Sequence, residues 1–177
     1  MPRTSDQPDI RERLLAGAAD VLVTDGIDGL TVRRVAEAAG RSTMCVYTKF
    51  GSRRGLIQGV FTQVENDLAA VLRKAKPVRG SNPLGVASAY RRFARQHPAA
   101  YALLFEHPIG ALDLDESARR DAIARVVALL AETGANEPVA ALATMHGLIT
   151  IERTQPPPAG GWETFFLRTV ERTMATG

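Results

Sequence analysis

Apolar residues recur every three to four positions in almost every segment of this chain, and no run alternates apolar and polar residues as a half-buried strand would. A chain patterned this way can bury its apolar surface only by packing helix on helix, so the fold class expected is all-α, with about nine helices. The punctuation is equally regular. Asp9 reads as an N-cap with Glu12 completing a capping box, and Ile10, Leu14, Leu15, Ala18, Val21 and Leu22 form one stripe before Gly26 ends the helix. Thr31 caps a second helix, with Val32, Val35, Ala36 and Ala39 inside and Gly40 as its stop. Ser42 caps a very short third helix that ends near Phe50 and Gly51. A longer fourth follows from Ser52, carrying Ile57, Val60, Phe61, Val64, Leu68 and Val71 on one side.

Residues 76–83 hold two prolines and a glycine, the strongest linker signal in the chain. Beyond them proline sets the boundaries. Pro83 opens a helix that runs through Phe93 and breaks at His97 and Pro98. A short helix with Tyr101, Leu104 and Phe105 ends at His107 and Pro108. Asp113 or Asp115 caps the next, which has Ile123, Val126, Val127 and Leu130 inside and Gly134 as its stop. Pro138 opens another that runs to about Arg153. After the loop of residues 155–161 comes a last helix, with Trp162, Phe165, Phe166, Thr169, Val170 and Thr173 on one face.

A net charge of +3 over 177 residues says little until it is located. Between Thr31 and Gly55 stand Arg33, Arg34, Arg41, Lys49, Arg53 and Arg54 against the single acid Glu37, so the surplus is local. Cys45 is the only cysteine, which rules out an internal disulfide and a thiolate-rich metal site, and it reads as an inert, partly buried thiol. His97, His107 and His146 lack metal-ligand spacing, and no metal or other cofactor is expected. No paired acids with a histidine and no Gly-rich phosphate loop argue for an enzyme. The chain carries no apolar leader and no uncharged stretch of membrane-spanning length, so a cytoplasmic protein without a membrane partner is expected.

Two short helices joined at Gly40 and Arg41, the second capped by Ser42 and rich in polar residues, fit a helix-turn-helix whose second helix enters the major groove. Arg41, Ser42 and Thr43 can donate to bases or phosphates. Tyr47 and Lys49 near the end of the short helix, and Arg53 at the start of the next, suit the phosphate backbone. The run of residues 31–56 closely resembles the DNA-binding domain of the tetracycline-repressor (TetR) family: a threonine opening the second helix, Val35-Ala36-x-x-Ala39-Gly40-x-Ser42, then Tyr47-x-x-Phe50, a basic residue and Leu56. The resemblance is strong over residues 9 to 56. It implies phosphate contacts from Thr31, Tyr47 and Arg53, and base contacts from Arg33, Ser42 and Thr43. The acid common in the family at the position of Gly55 is missing, which leaves the fourth helix to start less firmly.

The same resemblance implies a division into a DNA-binding domain, residues 1–55, and a helical ligand-binding and dimerisation domain, residues 56–177. The segment Met145-His146-Gly147-Leu148 is similar to a His-Gly element of the family's second domain, as is the run from Arg92 to Pro98. Tyr90, Phe93, Tyr101, Leu104, Phe105 and Met145 are candidate contacts for a small apolar ligand, or core residues. Leu142, Met145, His146, Ile149, Phe165, Phe166 and Thr169, on the last two helices, are candidate homodimer contacts. Gly147 supports that choice, because a glycine inside a helix costs about 1 kcal/mol and close approach of another helix is a common reason for one. The function implied is a repressor that binds double-stranded operator DNA and is released by its ligand. A regulator of the same fold without an inducer, a helical enzyme and a structural module are the alternatives.

Overall fold

The computed structural model describes residues 9–75 and 84–175. Among them are nine α-helices, one 3-10 turn and no strand: α1 (Ile10–Thr24), α2 (Val32–Ala38), α3 (Thr43–Phe50), α4 (Arg53–Lys74), α5 (Leu84–Gln96), α6 (Pro98–Phe105), the turn Ile109–Leu112, α7 (Glu116–Glu132), α8 (Pro138–Glu152) and α9 (Gly161–Ala175). The fold is all-α, as the periodicity requires. The linker expected at residues 76–83, and the helix start expected at Pro83, lie outside the described residues. Two compact units form. Among the described residues, one holds 9–65 together with Ala99–Glu116; the other holds 66–75, 84–98 and 117–175.

In the first unit α1 packs on both α2 and α3. The amide of Asp9 donates to Glu12 Oε2 at 3.2 Å, closing the capping box. Leu14, Ala18 and Val21 are buried along one side of α1, while Gly17 lets α2 come close: a methyl on Gly17 would stand 2.7 Å from the amide nitrogen of Ala39. Thr31 Oγ1 accepts the amide of Arg34 at 3.2 Å and so starts α2. Gly40, at φ +61°, makes the left-handed turn that ends it. On α3 only Val46 is buried, and a further contact holds the end of the helix. There Phe50 fits against Gly59 of α4, where a methyl would stand 2.7 Å from its ring, and the Arg11 guanidinium lies 5.3 Å from the ring centre.

The start of α4 differs from expectation. Ser52 Oγ accepts the amide of Gly55 at 3.0 Å, so the helix is capped without the missing acid. Gly55 has a reason of its own, since a methyl there would lie 2.0 Å from the carbonyl oxygen of Phe50. Farther on, α7 begins directly after Asp115. Asp113 instead takes a left-handed conformation, φ +56°, that closes the turn Ile109–Leu112.

The second unit is built on α8 against α9, with α5 packed on both. Val86, Tyr90, Phe93 and Ala94 are buried on α5. Arg91, only 7% exposed, makes a bidentate pair with Glu152 of α8 (2.9 and 2.6 Å) and lies 4.0 Å from Glu163 of α9. Arg95 meets the same Glu152 carboxylate at 3.3 Å. Sequence reading did not anticipate this cluster, whose members lie 61 and 57 residues apart.

Candidate nucleic-acid interface

The helix-turn-helix presents α3 outward. Thr31, Arg33, Ser42, Thr43, Tyr47, Lys49 and Arg53 are all exposed, and Arg41 is half-buried. The Thr31 hydroxyl spends its oxygen on the α2 cap and keeps its proton to donate. Ser42 differs from its expected use: its side chain makes no cap bond, and Oγ lies 3.5 Å from Cys45 Sγ. That hydrogen bond, with a smaller contribution from the charge of Arg41, lowers the Cys45 pKa against the opposing effect of burial.

The charges divide into two groups. Arg33 Nε bonds Glu37 Oε1 at 2.9 Å. Arg34 pairs with Asp25 and lies 3.6 Å from Glu37, and Lys49 Nζ meets Asp9 Oδ1 at 3.3 Å. Each acid is held below its ordinary pKa chiefly by the hydrogen bond from its cation: Glu37 by Arg33, Asp25 by Arg34, Asp9 by Lys49. Asp9 and Asp25 lie outside the stretch where the sequence showed a single acid, and the fold brings them in. Among the described residues no acid pairs with Arg41, Arg53 or Arg54, and Arg41 Nε is buried without an acceptor. These three carry the unneutralised positive charge of the motif.

One exposed side chain of this face escaped the sequence reading. Met44, 69% exposed, stands on α3 beside Thr43 and Tyr47. Its distance from the buried Val46 was the available signal, because two residues turn a helix by about 200°.

The other candidates sit deeper. Tyr90, Phe93 and Met145 of the second unit are buried, as are Tyr101 and Leu104 of the first, and Phe105 is half-buried. An open groove of about 850 Å³ in the second unit is lined by other residues, among them Arg91, Arg95, Glu152 and Trp162. Of the proposed dimer residues, Leu142, Met145, Ile149 and Phe166 are buried within the single chain, while His146, Phe165 and Thr169 are half-buried. No helix of the described residues is long and apolar enough to cross a membrane.

A braced short helix that offers hydroxyls and a phenol to solvent, flanked by arginines that no acid pairs with among the described residues, defines a helix-turn-helix DNA-binding regulator. The family model described as "Bacterial regulatory proteins, tetR family" matches residues 14–60, and "Tetracyclin repressor-like, C-terminal domain" matches residues 84–173. The chain is 30% identical over 153 residues to an uncharacterized HTH-type transcriptional regulator of Mycobacterium tuberculosis, Rv0681, covering 81% of this chain and 70% of that protein. Its fold is similar to a TetR-family member from Streptomyces coelicolor, SCO1917 (TM-score 0.74, 20% identity, 96% of this chain and 100% of that one). It is also similar to the multidrug binding protein EbrR, solved with imidazole (TM-score 0.73, 19% identity, 100% and 98%). The chain belongs to the TetR family of transcriptional regulators.

Proposed function

We propose that the protein is a homodimeric repressor that holds operator DNA through residues 1–55 and is released by a small apolar molecule acting on residues 56–177. The exposed polar face of α3 beside Arg41, Arg53 and Arg54 carries the reading. Arg53 and Tyr47 grip phosphates with Thr31, while Thr43, Ser42 and Arg33 approach base edges. Arg33 and Lys49 reach DNA by exchanging Glu37 and Asp9 for phosphate or base, so part of their gain offsets a lost ion pair. The protein works in the cytoplasm on DNA, and without catalysis.

Dimerisation is assigned to the outer faces of α8 and α9. Val139, Ala143, Gly147 and Ile151 follow one another at four-residue intervals along α8, all exposed or half-exposed. A methyl on Gly147 would meet nothing within 4 Å in the single chain, so the glycine has no packing reason until a second helix arrives. His146, Phe165 and Thr169 complete the contact. The buried Leu142, Met145, Ile149 and Phe166 support it from beneath.

The inducer reading draws on the fold shared with the multidrug binding protein EbrR. Tyr90, Phe93 and Met145 of the second unit remain its candidate contacts. Such a ligand acts through its different affinity for the DNA-competent and released conformations.

Selecting bound duplexes from a random pool at stated salt tests the function. A palindrome with half-sites about one helical turn apart, ~34–36 Å, is expected. Enrichment no better than random would overturn it. Calorimetry against a panel of apolar metabolites tests the inducer separately.

A further inference from the structure

Met44 is the second residue of α3 and reaches solvent with 69% of its surface. Val46, the anchor of the same helix, is fully buried. About 200° of helix rotation separates the two, so Met44 points away from the protein core. It stands among exposed polar neighbours. Thr43 precedes it, and Tyr47, 51% exposed, follows one turn later. The hydroxyl of Thr48 turns back to the Met44 carbonyl at 2.8 Å, and that of Ser42 lies by Cys45. The outward face of α3 near its start therefore has an apolar centre with polar flanks.

A major groove offers such a side chain few partners. Base edges there present hydrogen-bond donors and acceptors, and the one apolar feature is the C5-methyl group of thymine. A thioether laid on donors and acceptors would desolvate them and return no hydrogen bond. Laid on a methyl group, it removes apolar surface from water on both sides.

We propose that Met44 reads the C5-methyl group of a thymine in each operator half-site, and so is a specificity-determining residue of the DNA interface. The inference rests on the reading of α3 as the helix that enters the groove. It adds an apolar contact to the hydrogen-bonding residues already assigned there.

The test replaces each thymine of the selected operator in turn by uracil, which removes the methyl and leaves the hydrogen-bonding edges unchanged. At one position, wild-type affinity falls about fourfold when one half-site is altered and about sixteenfold when both are, the effect of one buried carbon. Met44→Ala abolishes the difference between thymine and uracil, and Met44→Leu retains it. Because Met44 is exposed, both variants keep the helical content and nonspecific DNA affinity of the wild type. If no thymine responds, or if Met44→Ala keeps the full methyl dependence, the inference is overturned. A protein that selects no sequence at all defeats the operator-binding function first, and this inference with it.

Discussion

Thr43 and Gly55 show how much single positions decide around α3. Thr43 is exposed at the first turn of the helix, and the proposed function gives its hydroxyl a base edge to read. Thr43→Ala is expected to weaken operator binding by ~1–3 kcal/mol while nonspecific binding stays level, as read by titration on operator and random duplexes. Equal losses on both would show that Thr43 reads no base. Gly55 acts through shape. With the Phe50 carbonyl oxygen 2.0 Å from where a methyl would sit, Gly55→Ala must displace backbone. Thermal unfolding should show a loss of ~1–3 kcal/mol, and an unchanged melting temperature would contradict the close approach. Most of the candidate interface was legible at this scale, because Thr31, Ser42, Tyr47 and Arg53 occupy places that local sequence defines. The ion pairs were not. Arg34 finds Asp25 nine residues back, and Lys49 finds Asp9 forty residues back. No charge count within a short stretch contains such partners, and three of the six cations counted there turn out to be neutralised.

Among the elements, helix existence and most boundaries followed from periodicity, caps and prolines, because those signals act within one or two turns. What a helix face packs against is not a local property. The apolar stripe of α9 marks core and interface alike, and burial separates them: Phe166 is fully buried in the single chain, while Phe165 keeps part of its surface. Phe166→Glu should therefore prevent folding, whereas Phe165→Glu should give a folded chain that elutes as a monomer in size-exclusion chromatography. A folded, fully dimeric Phe165→Glu would remove α9 from the interface. The α5–α8 tie makes a second prediction. Glu152 neutralises a buried guanidinium, so Glu152→Ala strands Arg91 and should cost ~3–5 kcal/mol in denaturant unfolding. Arg95→Ala removes an arginine 59% exposed and should cost less than ~1 kcal/mol. Similar losses from both would mean that the cluster does not hinge on Arg91.

For the whole molecule the central claim is that the positive charge left free on the N-terminal unit meets the phosphates of a duplex. Net charge alone does not make the case, because +3 over the chain fits many proteins. The distribution does: Arg41, Arg53 and Arg54 lack acids among the described residues, and Arg33 and Lys49 can exchange theirs. If two or three cations per subunit reach phosphates, a dimer neutralises roughly 4–6 of them. The salt dependence of operator affinity measures this number directly. The logarithm of affinity should fall with the logarithm of salt concentration at a slope of about −4 to −5. Arg53→Gln should flatten it by about 2, one contact per subunit, and weaken operator and random DNA alike, while Arg92→Gln on α5 leaves it unchanged. An unchanged slope for Arg53→Gln would take that arginine off the backbone, and a wild type whose binding does not respond to salt would contradict the account as a whole.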